Sequence, residues 1–237
     1  MSSEGDGFAP YFVGRRINAE TDQALLRGSF ELRYAVYCLE CKYLSAEAYA
    51  EPAETDEQDA LSAHFCSINH SGELIGCVRL VGQDVDGKFP FQYHCPSLNP
   101  GIELPDPAES GEVSRLIVRR DYRRRRGDTL AGVTVASETP AEGERRASSP
   151  QILLSMYRQM YQHSLQNGVR YWYTAMEPSL ARSLHFFGFS FKQIGPPAEY
   201  YGTVAPYMAD LRELEKDLAA SSPELLEWMR TPESVVN

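Results

Sequence analysis

Apolar and polar positions alternate over residues 63–69, and a mostly apolar run follows over 74–81 after a turn at 70–73. That pattern predicts a β-hairpin. A second short apolar run at Val113, Leu116, Ile117 and Val118 suits the interior of a sheet. Upstream, Glu20, Thr21 and Asp22 mark a helix start, and Ala24, Leu25, Phe30, Tyr34, Tyr37 and Leu44 keep an apolar face. A helix is expected over 22–43, weakened at Gly28 and Ser29. Residues 46–59 are acidic and loop-like, and Pro, Gly and Asn make 82–111 a long excursion. Downstream of Pro150 a helix presents Ile152, Leu153, Met156, Tyr157, Met160, Tyr161 and Leu165, and Asn167 and Gly168 end it. A strand over 169–176, a short helix to Phe187, a strand over 188–194 and a turn at Gly195, Pro196 and Pro197 follow. Amphipathic helices over 205–218 and 223–230 complete the pattern.

This order of elements argues α+β or mixed α/β, with helices packed on both faces of one central sheet. Residues 128–149 hold almost no large apolar side chain, so they are expected to form a mobile insertion. The expected organisation is a flexible N-terminus over 1–10, a single domain over 11–218, and a C-terminal helix and tail over 219–237.

Charge narrows the chemistry. The 237 residues carry 23 Lys plus Arg against 33 Asp plus Glu, a net charge of −10, and the isoelectric point is near 5.0. A chain this acidic lacks the broad positive face that nucleic acid requires, so no nucleic-acid partner is expected. No apolar stretch reaches membrane-spanning length, and the first ten residues have neither a basic nor an apolar leader region. A cytoplasmic protein without a transmembrane segment is expected. Five scattered cysteines form no disulfide framework. Cys38 and Cys41 have the spacing of zinc ligands, but no second close pair follows, so no metal site is assigned.

Against this background one stretch stands out. Glu112, Ser114 and Arg115 place polar groups in an otherwise apolar strand, where each must be satisfied or used. The strand then opens into Arg119, Arg120, Arg123, Arg124, Arg125, Arg126 and Gly127. Guanidinium forks suit phosphate, so this turn fits a phosphopantetheine arm, a coenzyme A diphosphate or an acidic carrier protein. A solvated charged loop is the plainer reading, as is an ion pair between Glu112 and Arg115. Arg33, Arg79 and Arg115 are open to two roles: binding an amino acid carboxylate, or pairing with Asp56, Asp59 and Glu112. A buried Glu112 would have its pKa raised towards neutrality and act as a base, directly or through water, with Ser114 orienting the acceptor or that water. The five histidines are read as surface or core residues. Met156, Met160, Tyr171, Trp172, Tyr173, Phe186, Phe187 and Phe189 supply apolar volume for an acyl chain, although their periodicity favours core packing.

The order of the elements and the basic turn ending at Gly127 resemble the Gcn5-related N-acetyltransferase (GNAT) fold. More narrowly, the chain resembles the autoinducer synthases, the N-acyl amino acid synthases and the acyltransferases associated with PEP-CTERM/exosortase systems. Residues 32–37 resemble the amino-terminal arginine motif of the acyl-homoserine lactone synthases, 56–59 their acidic pair, and 76–80 their arginine-bearing strand. Glu112, Ser114 and Arg115 resemble their Glu-x-Ser-Arg signature. Residues 176–180, 193–196 and 199–202 are most similar to the exosortase-associated acyltransferases. The resemblance implies a mostly antiparallel twisted sheet and an acyltransferase that moves a fatty acyl group to the amine of a small acceptor such as an amino acid. It implies Glu112 as base and backbone N–H groups between Leu116 and Val118 as the oxyanion site. No permanently bound cofactor is implied; the co-substrate is an acyl-phosphopantetheine thioester. Arg123 to Arg126 replace the glycines usual in the GNAT loop, which favours an acyl carrier protein over coenzyme A as donor. Where the lactone synthases usually carry a tryptophan after the first arginine motif, this chain has Tyr43 and Leu44, which counts against lactone formation. A lactone synthase using S-adenosylmethionine and a non-catalytic acyl-carrier or lipid-binding module are the alternatives.

Overall fold

A computed structural model describes residues 8–123, 130–131 and 148–231. The expected insertion therefore lies almost wholly outside the described residues, as do Arg124, Arg125, Arg126 and Gly127. The elements are β1 (Phe12–Ile17), α1 (Gln23–Tyr34), β2 (Ser62–Asn69), β3 (Leu74–Val81), α2 (Pro90–His94) and β4 (Ser110–Val118). They continue with α3 (Ser148–Gln166), β5 (Tyr171–Met176), α4 (Pro178–Phe186), β6 (Lys192–Gln193), β7 (Ala198–Glu199), β8 (Thr203–Asp210), α5 (Leu211–Ser221) and α6 (Pro223–Arg230).

The strands form an open sheet in the order β1-β2-β3-β4-β5-β8-β6, with β7 also pairing with β8. Every pair is antiparallel except β4 with β5. The mixed α/β architecture expected from sequence is the one observed. On one face α3 buries Ile152, Leu153, Met156, Tyr157, Met160 and Tyr161 in the main core. On the other, Leu32, Val36 and Tyr37 pack over Cys77 of β3 and Ile117 of β4. Leu225, Leu226 and Met229 of α6 join the main core, so the C-terminal helix is part of the same packed body.

Several elements depart from the sequence reading. Gly28 and Ser29 do not interrupt α1, because the Ser29 hydroxyl donates to the Leu25 carbonyl at 3.0 Å and stays inside the helix. The helix instead widens into a π-helical stretch, Ala35–Glu40. Strand β1 has no clean alternation, since Gly14, Arg15 and Arg16 interrupt it; tertiary pairing with β2 sets it. The segment expected to be helical over 205–218 is split. Its first part belongs to β8, where Val204, Ala205, Pro206 and Tyr207 are buried between β5 and β6. Helix α5 starts only after Asp210, whose carboxylate caps it by accepting from the Arg212 N–H at 2.9 Å. The strand expected over 188–194 contracts to β6, because Gly188 at φ +85° closes α4 and Phe189 turns into the core.

Candidate active site

Two features of β4 open a cleft in the middle of the sheet. Pairing of β4 with β5 runs from Ser110↔Tyr171 to Glu112↔Tyr173 and then stops, although both strands continue. Parallel strands that part in this way leave a notch between them. Just beyond, the β3–β4 register slips: Arg79 faces Ser114 and Cys77 faces Ile117, so Arg115 and Leu116 together oppose Val78. This is a β-bulge, and Arg115 sits in it at φ +55°. A left-handed arginine inside a central strand stores on the order of 1–3 kcal/mol, which the packing around it must outweigh. The bulge turns the Arg115 side chain over the Tyr37 ring, 5.2 Å from its centroid.

A cavity of about 860 Å³ fills the notch. Glu112 stands on its wall at 4% exposure. One carboxylate oxygen accepts the Phe91 N–H at 2.7 Å; the other has no hydrogen-bond partner among the described residues. Burial pushes this carboxyl up to about 7, against the pull of the Phe91 N–H and of Arg79 and Arg115. The expectation of an ion pair between Glu112 and Arg115 fails, because the bulge points Arg115 elsewhere.

Arg115 instead joins a buried lattice of ions. It donates to Glu54 at 3.0 Å and to Asp56 at 2.9 Å. Arg79 reaches Asp56 at 2.5 Å and Asp59 at 2.6 Å. Arg33 bonds Glu54 and, at 2.6 Å, Asp59. The acids are positioned locally: Asp56 accepts from Gln58 N at 3.0 Å, while Asp59 accepts from Asp56 N at 2.9 Å, which together fix the turn Glu57–Leu61. Burial opposes ionisation of Asp59, but the Arg33 and Arg79 guanidiniums outweigh it and hold the carboxyl at about 2. Glu54 and Asp56 are held low in the same way. The structure thus gathers Arg33, Asp56, Asp59, Arg79 and Arg115 as ion-paired partners. Glu54, fully buried at the centre of the lattice, is the member sequence reasoning missed; it was one acid among many in a loop.

The arginine turn is only partly described. Arg119 pairs with Asp121 at 2.8 Å. Arg123 donates to Glu40 at 2.5 Å and to the Val118 carbonyl at 2.7 Å. Both are engaged within the chain, while Arg120 is exposed. The Val118 N–H donates to the Leu130 carbonyl at 2.8 Å, so Val118 does not offer the oxyanion site expected of it. Ser114 and Leu116 both line the cavity.

Two further parts of the wall escaped the sequence reading. His94 stacks on Tyr200 with ring centroids 3.7 Å apart and planes at 9°, and Tyr201 stacks on Tyr43 at 5.8 Å. All four line the cavity. The other end is apolar, bounded by Leu116, Tyr157, Met176, Leu180, Leu184 and Val204. Of the aromatic and methionine residues expected to offer acyl volume, Met156, Met160, Trp172, Tyr173 and Phe189 are buried core, and Phe186 is 71% exposed. None of these lines the cavity.

Residues 32–132 match the acetyltransferase (GNAT) domain family. No curated protein matches the sequence. Among solved structures, the AHL synthase LasI is similar at a TM-score of 0.57 and 18% identity, over 85% of this chain and 90% of that one. The CoA-dependent acyl-homoserine lactone synthase BjaI, with SAM and isopentyl-CoA, gives 0.63 and 17% over 91% and 89%. FeeM, an N-acyl amino acid synthase from uncultured soil microbes, gives 0.50 and 14% over 87% and 94%. At these identities the likeness is one of fold. The matched domain and that fold together support an acyltransferase enzyme.

Proposed function

We propose that this chain is an N-acyltransferase that moves a fatty acyl group from a phosphopantetheine thioester to the amine of a small acceptor. The observation that carries the reading is Glu112: a buried carboxyl, raised to about 7 so that it can take up a proton near neutrality, on the wall of a cavity that is polar at one end and apolar at the other. In this reading the acyl chain occupies the end bounded by Leu116, Tyr157, Met176, Leu180, Leu184 and Val204, where burial of each methylene contributes about 0.8 kcal/mol. The acceptor enters from the polar side. Glu112 takes a proton from its ammonium, directly or through water, and the freed nitrogen attacks the thioester carbonyl. The oxyanion is met by backbone N–H at the Leu116 bulge. The carbon–sulfur bond then breaks, and the leaving thiolate takes up the second proton that the attacking nitrogen loses to give the amide.

The donor is an acyl carrier protein or acyl-CoA. Its phosphate would lie near Arg120, with Arg119 and Arg123 held beside it by Asp121 and Glu40; Arg124, Arg125, Arg126 and Gly127, which lie outside the described residues, are the further candidates from sequence. The fold shared with BjaI, whose structure holds SAM, favours lactone synthesis as the second reading; a requirement for S-adenosylmethionine would establish it.

Thiol release from an acyl thioester, measured with a panel of amines, tests the proposal. The parent should release thiol only with amine present, and Glu112→Gln should lower turnover about 10²–10⁴-fold. Amine-independent release, or full activity in the variant, would sink the assignment.

A further inference from the structure

We infer that the polar end of the cavity selects a cationic amine that carries no carboxylate, in preference to a zwitterionic amino acid. The inference rests on the acyltransferase reading and narrows its acceptor.

The expectation that Arg33, Arg79 or Arg115 holds an acceptor carboxylate requires a guanidinium to spare. The ion lattice leaves none in charge: Glu54, Asp56 and Asp59 balance Arg33, Arg79 and Arg115 one for one, through contacts of 3.0 Å or less. Among the described residues Arg79 and Arg115 are the only Lys or Arg side chains on the cavity wall, so the lattice offsets the charge of both and leaves Arg79 Nε as a buried donor without a hydrogen-bond partner. Burial pushes His94 down, favouring its neutral form. What remains on the wall is acidic. Glu57, Asp84, Glu112 and Glu177 line the cavity outside the lattice. Glu112, 4% exposed, has one oxygen with no hydrogen-bond partner among the described residues, placed where an ammonium would dock.

The rim supports the same ligand. Asp84 is fixed by the Tyr93 hydroxyl at 2.6 Å and by the backbone of Asp86 and Lys88, and Lys88 lies over the Tyr93 ring at 5.5 Å. Beside these groups Leu61, Val85 and Tyr93 are exposed at 44%, 102% and 51% and line the opening. An apolar rim with fixed carboxylates favours an amine bearing a hydrocarbon or aromatic body. A carboxylate beside that amine would face several like charges, with only the Arg79 Nε donor and the rim's Lys88 to set against them.

Amines and amino acids that differ only in the carboxylate provide the test: tyramine against tyrosine and phenethylamine against phenylalanine. Binding to the full chain without thioester is measured by titration calorimetry, and turnover by thiol release. Each amine should bind at least tenfold tighter than its amino acid. The Glu57→Gln, Asp84→Asn double variant should shrink that preference several-fold, with little change in melting temperature. Equal or tighter binding of the amino acids, no binding of either amine, or a preference untouched by the double variant would overturn the inference. Thiol release that favours tyrosine would overturn it while leaving the acyltransferase reading intact; amine-selective binding with no thiol release from any thioester would do the reverse.

Discussion

Glu112 and Arg33 are both buried charged residues, and they are held by opposite means. Glu112 has a single backbone donor and keeps its proton up to about 7. Its folded pKa lies above the unfolded carboxylate value, so its contribution to stability is complete below the unfolded value and is lost as pH rises through about 7. Glu112→Gln should therefore melt higher than the parent at about pH 8, with the difference closing towards about pH 4, as differential scanning calorimetry would record. A constant offset across that range would refute the buried-acid account. Arg33 is held by two carboxylates at 2% exposure. Arg33→Met strands Glu54 and Asp59 with one guanidinium fewer and should cost about 3–5 kcal/mol in urea unfolding. Adding Glu54→Gln to that variant should recover part of the loss; if it recovers nothing, the pairing is not what the arginine contributes. Both residues were visible in the sequence as charge within apolar surroundings. Asp59 was foreseen as a partner for Arg33, but Glu54 and the Phe91 N–H were not, because a partner 21 residues away in a loop carries no local signature.

At the scale of elements, the strands and helices with strong periodicity were legible: β2, β3, α3 and α6 fall where the pattern put them. Strands β1 and β8 were not. Each is short of local preference and gains its structure from a neighbour, β1 from β2 and α3, β8 from β5. Gly14 shows how close that dependence is: a Cβ there would lie 2.1 Å from the Ser155 carbonyl oxygen on α3. Gly14→Ala should therefore destabilise the protein by about 1–3 kcal/mol, seen as a lowered urea midpoint with an unchanged slope. A neutral substitution would show that β1 does not pack against α3 as described. The bulge at Arg115 belongs to the same scale, since only pairing with β3 reveals that β4 carries one residue too many.

For the whole molecule, the cavity exists because β4 and β5 part after Glu112 and Tyr173, and its apolar end is closed by residues from α3, α4, β5 and β8. Leu184, 1% exposed on that wall, should set the length of acyl chain accepted. Leu184→Trp should reduce kcat/KM for a dodecanoyl thioester at least tenfold while sparing a butanoyl one. Equal losses for both donors would place the acyl chain elsewhere.

By itself the sequence determined the mixed α/β class, the central strand with Glu112, and the set of arginines and aspartates worth watching, because periodicity and misplaced charge are local properties. Only the tertiary structure decided which charges neutralise one another, that Val118 spends its N–H on Leu130, and that His94 and Tyr200 meet across the site. Those outcomes depend on strand register and on loops brought together from distant parts of the chain. Pairwise distance, rather than residue type, separates a structural arginine from one that could hold a ligand.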